Sequence, residues 1–157
     1  MLFRSVILKE DNVWMKLLYN ITLMRFWNPD FMSAYVTVMF GRVYMPAHLI
    51  GTLTGYMVLR HERIHLRDAR RWPILFELSY LFFPLPILIT LRAYWEYRAY
   101  CESLVAEAEI YGYARRDSIE FFVNQFVGSY YLWMFPFPNF LRERFYRFLA
   151  SRAILVR

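Results

Sequence analysis

Apolar residues recur at helical spacing from Val13 to Met24, and Asn28-Pro29-Asp30 reads as the turn that ends this stretch. The pattern then changes. Ala34-Tyr35-Val36-Thr37-Val38-Met39 is β-branched and aromatic and predicts a strand. Phe40-Gly41 can turn the chain, and Arg42-Val43-Tyr44-Met45 returns as a second strand before Pro46. From Ala47 to about Arg71 the pattern predicts one long helix, which Gly51 and Gly55 either weaken or open to a close neighbour; Trp72-Pro73 ends it. Ile74 to Phe83 predicts a second, apolar helix, Pro84-Leu85-Pro86 a break, and Ile87 to about Tyr111 a third helix with Gly112 as its cap. Asp117 or Ser118 is the expected cap of a fourth helix running to about Phe126. Gly128 to Pro138 reads as an aromatic connector, and Asn139 as the cap of a last amphipathic helix from Phe140 to about Ala153. The expected fold is α+β and mainly helical: a small β-hairpin or sheet, then a long helix, packed with three to four further helices. One domain is expected over 1–157, with its core in 34–112 and a C-terminal helical part in 117–157.

Composition narrows the class. The chain has 157 residues, of which 59% are hydrophobic and 21% aromatic, ample for a core. With 5 Gly and 7 Pro, disorder and collagen-like structure are excluded. The single cysteine, Cys101, excludes an internal disulfide and a Cys-rich zinc ribbon, and fits a reducing compartment. Lys9, Glu10 and Asp11 interrupt the start too early for a secretory signal. The net charge of +6 is carried mostly by arginine, with small knots at Arg70-Arg71, Arg115-Arg116 and Arg142 to Arg147. Neither a zinc-finger pattern nor a phosphate-binding Gly-rich loop accompanies them, so they read as solvated faces and no nucleic-acid partner is expected. Ile74 to Leu91 is nearly all apolar, but Glu77, Pro84 and Pro86 make two short buried helices a better reading than a membrane span. A cytoplasmic location is expected, with peripheral membrane contact left open and the oligomeric state unspecified.

One segment carries recognisable chemistry. His61-Glu62-Arg63-Ile64-His65 is an H-E-x-x-H sequence on the long predicted helix. Positions i and i+4 lie a turn apart on one face, so two imidazoles can share one metal ion. Glu62, rotated about 100° from His61, sits beside that ion and can take a proton from a water whose pKa the metal lowers to about 7. His61, His65 and Asp68 share a face that Thr54, Met57 and Val58 continue. Arg60, Arg63, Arg67, Arg70 and Arg71 gather opposite. The histidine face therefore points inwards, where two imidazoles need partners.

A hydrolytic zinc takes three protein ligands and keeps an open position. His48 would lie roughly 20 Å away along the same helix. The carboxylates to weigh are Asp68, Glu77, Glu96, Glu102, Glu107 and Glu109. Asp68 is on the right face but nearly two turns beyond His61, which suits a hydrogen bond to an imidazole or a pairing with an arginine. No Gly turn follows His65, so the third ligand is expected from another helix. Trp95-Glu96-Tyr97-Arg98-Ala99-Tyr100 offers Glu96 beside the small Ala99. An ion pair of Glu96 with Arg92, or of Glu102 with Arg98, is the structural alternative. Glu107 and Glu109 read as solvated.

The order H-E-x-x-H, apolar helix, then E-x-x-A-Y resembles the gluzincin metallopeptidases, in particular their minimal single-domain forms, over roughly residues 34–112. The resemblance implies a zinc-dependent peptidase acting on a peptide or protein substrate, with Zn2+ held by His61, His65 and Glu96, and with Glu62 as the general base. It also implies that the 35–45 hairpin lines the cleft and pairs with extended substrate. The E-x-x-x-D form of the second motif, found in many larger gluzincins, is missing. Asp68 and Glu102 therefore remain as alternative third ligands.

Tyr100, Tyr130 and Tyr131 are candidates for stabilising an oxyanion, against the simpler reading that they pack in a core. The last helix, with Phe140, Leu141, Phe145, Phe148 and Leu149 beside several arginines, either packs on the domain or lies on an anionic membrane. Two other functions compete with the peptidase: a non-catalytic binding or assembly protein with a structural or vestigial metal site, and a membrane-attached metalloprotease.

Overall fold

The computed structural model describes residues 6–21, 26, 29–39, 41–81, 86–128 and 133–157. The expected turn residues Asn28 and Phe40, the break at Pro84-Leu85, and the candidates Tyr130 and Tyr131 lie outside the described residues. The chain divides into two compact units, Met1–Glu62 and Arg63–Arg157, and the fold is α+β and mainly helical with one small sheet.

In the first unit, β1 (Val6–Leu8), β2 (Thr37–Met39) and β3 (Arg42–Met45) form a sheet in the order β1-β3-β2. The expected hairpin is present: β2 runs antiparallel to β3, with Thr37 opposite Tyr44 and Met39 opposite Arg42. β1 was not expected. It pairs parallel with β3, Val6 against Val43 and Leu8 against Met45. Three residues carry no readable period, and only the central strand gives them a ladder to join. Helix α1 (Val13–Ile21) provides part of the crossover that a parallel pair needs. Asn12 caps it, its Oδ1 accepting from the Met15 amide at 3.1 Å. Met15, Phe31 and Tyr44 form the core of this unit.

Lys9 follows β1 and is fully buried. Its ammonium donates to the Phe31 carbonyl at 2.5 Å, the Tyr35 carbonyl at 2.9 Å and Thr37 Oγ1 at 2.9 Å, and lies 3.5 Å from the centre of the Phe31 ring. It ties β1 to the segment that leads into β2. Burial pushes the amine down to about 8, against the attraction of Glu62 and Glu10. Lys9→Met strands three acceptors and is expected to cost about 2–4 kcal/mol. Between pH 8 and 10.5 the unfolded lysine holds its proton more than the folded one does. Wild-type stability therefore rises with pH relative to Lys9→Met across that window, by up to about 3 kcal/mol. Urea unfolding of both proteins at pH 7 and pH 10 measures both effects.

The long helix begins later than expected. Ala47–Leu49 is a 3-10 turn and α2 spans Leu53–Arg71, because Gly51 takes the left-handed conformation at φ +77° and cuts Ala47 off from the helix. His48 is therefore not on α2. Thr52 caps α2, its Oγ1 accepting from the Gly55 amide at 2.9 Å. Gly55 does admit a close neighbour, since a Cβ there would fall 1.9 Å from the Leu49 carbonyl oxygen.

The second unit holds the rest of α2, then α3 (Pro73–Leu81), α4 (Pro86–Tyr111), α5 (Arg116–Val127) and α6 (Pro138–Ser151). Gly112, at φ +80°, ends α4 as expected. The expected caps of the last two helices are not used. Arg115 occupies the cap position of α5 without a side-chain cap bond, and Glu107 of α4 adds a carboxylate there to that of Asp117 in the first turn. The Glu107 carboxylate accepts from the Arg115 amide at 2.9 Å, Arg115 Nε at 2.6 Å and Ser118 Oγ at 2.7 Å. Glu107 is thus buried, contrary to the expectation of a solvated residue. α6 opens with Pro138, whose missing N–H suits a first turn, and Asn139 Oδ1 accepts from Arg142 instead of capping. Leu141, Phe145 and Leu149 are buried in one core with Leu104, Ile119, Val123 and Phe126, so α6 packs on its own unit. Among the described residues no helix is long and apolar enough to cross a membrane.

Candidate metal centre

α2 presents its residues much as the spacing requires. His65 and Asp68 are buried, His61 is partly buried, and Glu62 is buried. Arg63, Arg67, Arg70 and Arg71 are exposed on the opposite side. Two residues depart from the expectation: Thr54, expected on the inward face, is exposed in the first turn, and Arg60, expected on the arginine side, is only partly exposed and donates to the Tyr56 hydroxyl at 2.8 Å.

Glu96 comes from α4. His61, His65 and Glu96 each offer one ligand atom, and these atoms all lie within 4.8 Å of one another. His65 Nε2 and Glu96 Oε2 are 3.6 Å apart, and both side chains are almost completely buried. That separation is long for a hydrogen bond. It is close to the ~3.3 Å edge between two donors that sit about 2.0–2.1 Å from a tetrahedral ion. Two imidazoles and one carboxylate form a borderline donor set that suits a divalent transition metal, zinc included. The residues therefore fit such an ion. Neither Asp68 nor Glu102 belongs to this cluster.

Neighbouring side chains hold the cluster in place. Tyr80 of α3 donates its hydroxyl to Glu96 Oε1 at 2.9 Å, which fixes the carboxylate with Oε2 towards His65. The Tyr80 ring also meets His65 edge-on with centroids 6.0 Å apart, and Phe76 lies 5.8 Å from His65 on a tilted ring. The Arg92 guanidinium sits 5.1 Å from the centre of the Tyr80 ring. Phe76, Trp95 and Ala69 are the buried apolar floor around these groups. Asp68 pairs with an arginine, as its place on the helix suggested: Arg98 Nη1 donates to Asp68 Oδ1 at 2.5 Å. Burial raises the Asp68 carboxyl above the usual range, and the Arg98 guanidinium opposes that rise.

One candidate role changes, and one residue is new. Tyr100 is buried in the large core of the second unit, stacked on Phe122 at 4.4 Å and edge-on to Phe126 at 5.7 Å, so its ring serves packing. Tyr80 was not singled out from the sequence. Its contact depends on how α3 and α4 meet, and no spacing along one helix encodes that. No family model, no curated protein and no solved structure matches the chain.

Proposed function

We propose that the chain is a zinc-dependent metallopeptidase, a gluzincin-like enzyme reduced to a small domain. One observation carries the reading: an H-E-x-x-H helix and a glutamate from another helix bring three ligand-type atoms within 4.8 Å of one another. His61, His65 and Glu96 would hold the metal. When bound, zinc supplies Lewis acidity to a water molecule and to a peptide carbonyl. Glu62, beside the histidines and buried, accepts the proton from the attacking water on its carboxylate and passes it to the departing amine nitrogen. The buried setting excludes bulk water from that carboxylate, and Tyr80 keeps Glu96 oriented.

The reading is tested by following hydrolysis of an unfolded protein by the purified full chain. Activity is expected to disappear on chelation and to return with added zinc. Undiminished activity after complete metal removal, or none with zinc bound, would contradict it. Tyr80→Phe removes the hydroxyl that orients Glu96 and is expected to weaken zinc binding about 10–100-fold, read by competition with a coloured chelator. An unchanged affinity would show that Glu96 needs no such support.

A further inference from the structure

We propose that the corner between α2 and α3 docks the protein on an anionic phospholipid surface. The corner combines two exposed features. Arg63, Arg67, Arg70 and Arg71 line one side of α2, all exposed. Trp72 and Ile74 follow at once and are 50% and 75% exposed. The turn that carries them is built, not loose: the Trp72 amide donates to the Asp68 carbonyl at 2.8 Å and the Trp72 carbonyl accepts from the Phe76 amide at 2.8 Å. Pro73 fixes the start of α3 between them. Trp72 and Ile74 are therefore held exposed where α2 meets α3, directly after the exposed arginines of α2.

Each half of this surface points to lipid. Arginines in the last turn suit the negative end of a helix dipole, which accounts for Arg70 and Arg71. Arg63 and Arg67 lie further back than that effect reaches. Among the described residues none of the four forms a salt bridge. Four like charges disfavour a second copy of the same face. A nucleic-acid backbone would use the arginines and could stack on Trp72, but it offers nothing to the aliphatic Ile74. A phospholipid surface matches all of them: phosphates for the arginines, the headgroup boundary for Trp72, and acyl chains for Ile74. The inference does not depend on a metal at His61.

The test is sedimentation of the full chain with vesicles of phosphatidylcholine alone or mixed with phosphatidylglycerol. The chain should partition onto the mixed vesicles, less strongly as salt is raised, and only weakly onto phosphatidylcholine. Arg67→Gln/Arg70→Gln/Arg71→Gln should lower partitioning about 100-fold, and Trp72→Ser/Ile74→Ser at least about 10-fold. Both variants change exposed residues, and their circular dichroism and melting should match the wild type. Equal partitioning onto both vesicle types, or wild-type partitioning by both folded variants, would overturn the proposal. So would binding of single-stranded RNA without vesicle binding, or a concentration-dependent dimer that Trp72→Ser/Ile74→Ser abolishes.

Discussion

Glu62→Gln is expected to lower peptide-bond hydrolysis by about 10²–10⁴-fold while leaving metal content and fold unchanged. Glutamine keeps the shape and hydrogen-bonding capacity of the side chain but cannot accept a proton from water. The carboxylate is buried on the same helix as both histidines and also attracts the buried Lys9 ammonium, so the substitution removes its base chemistry and that attraction while keeping the side chain's shape. The informative readout is turnover measured beside zinc stoichiometry. A variant that binds one zinc and turns over at the wild-type rate would remove Glu62 from the reaction. The site would then be better described as a structural metal centre in a binding or assembly protein.

His65→Ala has the second large effect. His65 is buried among Phe76, Tyr80 and Glu96, so its loss removes one of the three ligand-type atoms of the cluster. Metal affinity should fall by more than the about 10–100-fold that loss of a supporting hydrogen bond costs. The same variant gives a test that needs no substrate. At a free zinc concentration 100 times the dissociation constant, binding stabilises the wild type by about 2.7 kcal/mol. For a chain of this length that corresponds to a melting temperature about 5–10 °C higher with zinc than with chelator. His65→Ala should show no such difference. A chelator-independent melting temperature in the wild type would mean that the cluster holds no ion of consequence to the fold.

Much of the site was legible because its information is local. The four-residue interval between His61 and His65 fixes a shared face on any α-helix, and the arginines on the opposite side settle which way that face points. Asp68 pairs with an arginine because its place seven residues from His61 keeps it on that face but too far along the axis to join both histidines. Glu96 depended on more. Its helix could be read, but its approach to His65 is a tertiary fact, and so is the Tyr80 hydroxyl behind it. The misreadings share that origin. Glu107 looked solvated because its partners, Arg115 and Ser118, lie across the Gly112 turn on the next helix. Those same contacts displaced the expected local cap of α5. β1 has three residues and exists only because β3 pairs on both sides. Lys9 carried no pattern at all, although the arrangement of residues 31–37 around β1 depends on its three hydrogen bonds.

The central claim is that His61, His65 and Glu96 bind one zinc ion. Anomalous diffraction at the zinc absorption edge, from crystals of the full chain grown with stoichiometric zinc, tests it directly. The account predicts a single strong peak about 2.0–2.2 Å from one nitrogen of each histidine and one oxygen of Glu96. No peak among these three residues, or a peak ligated by other side chains, would contradict it.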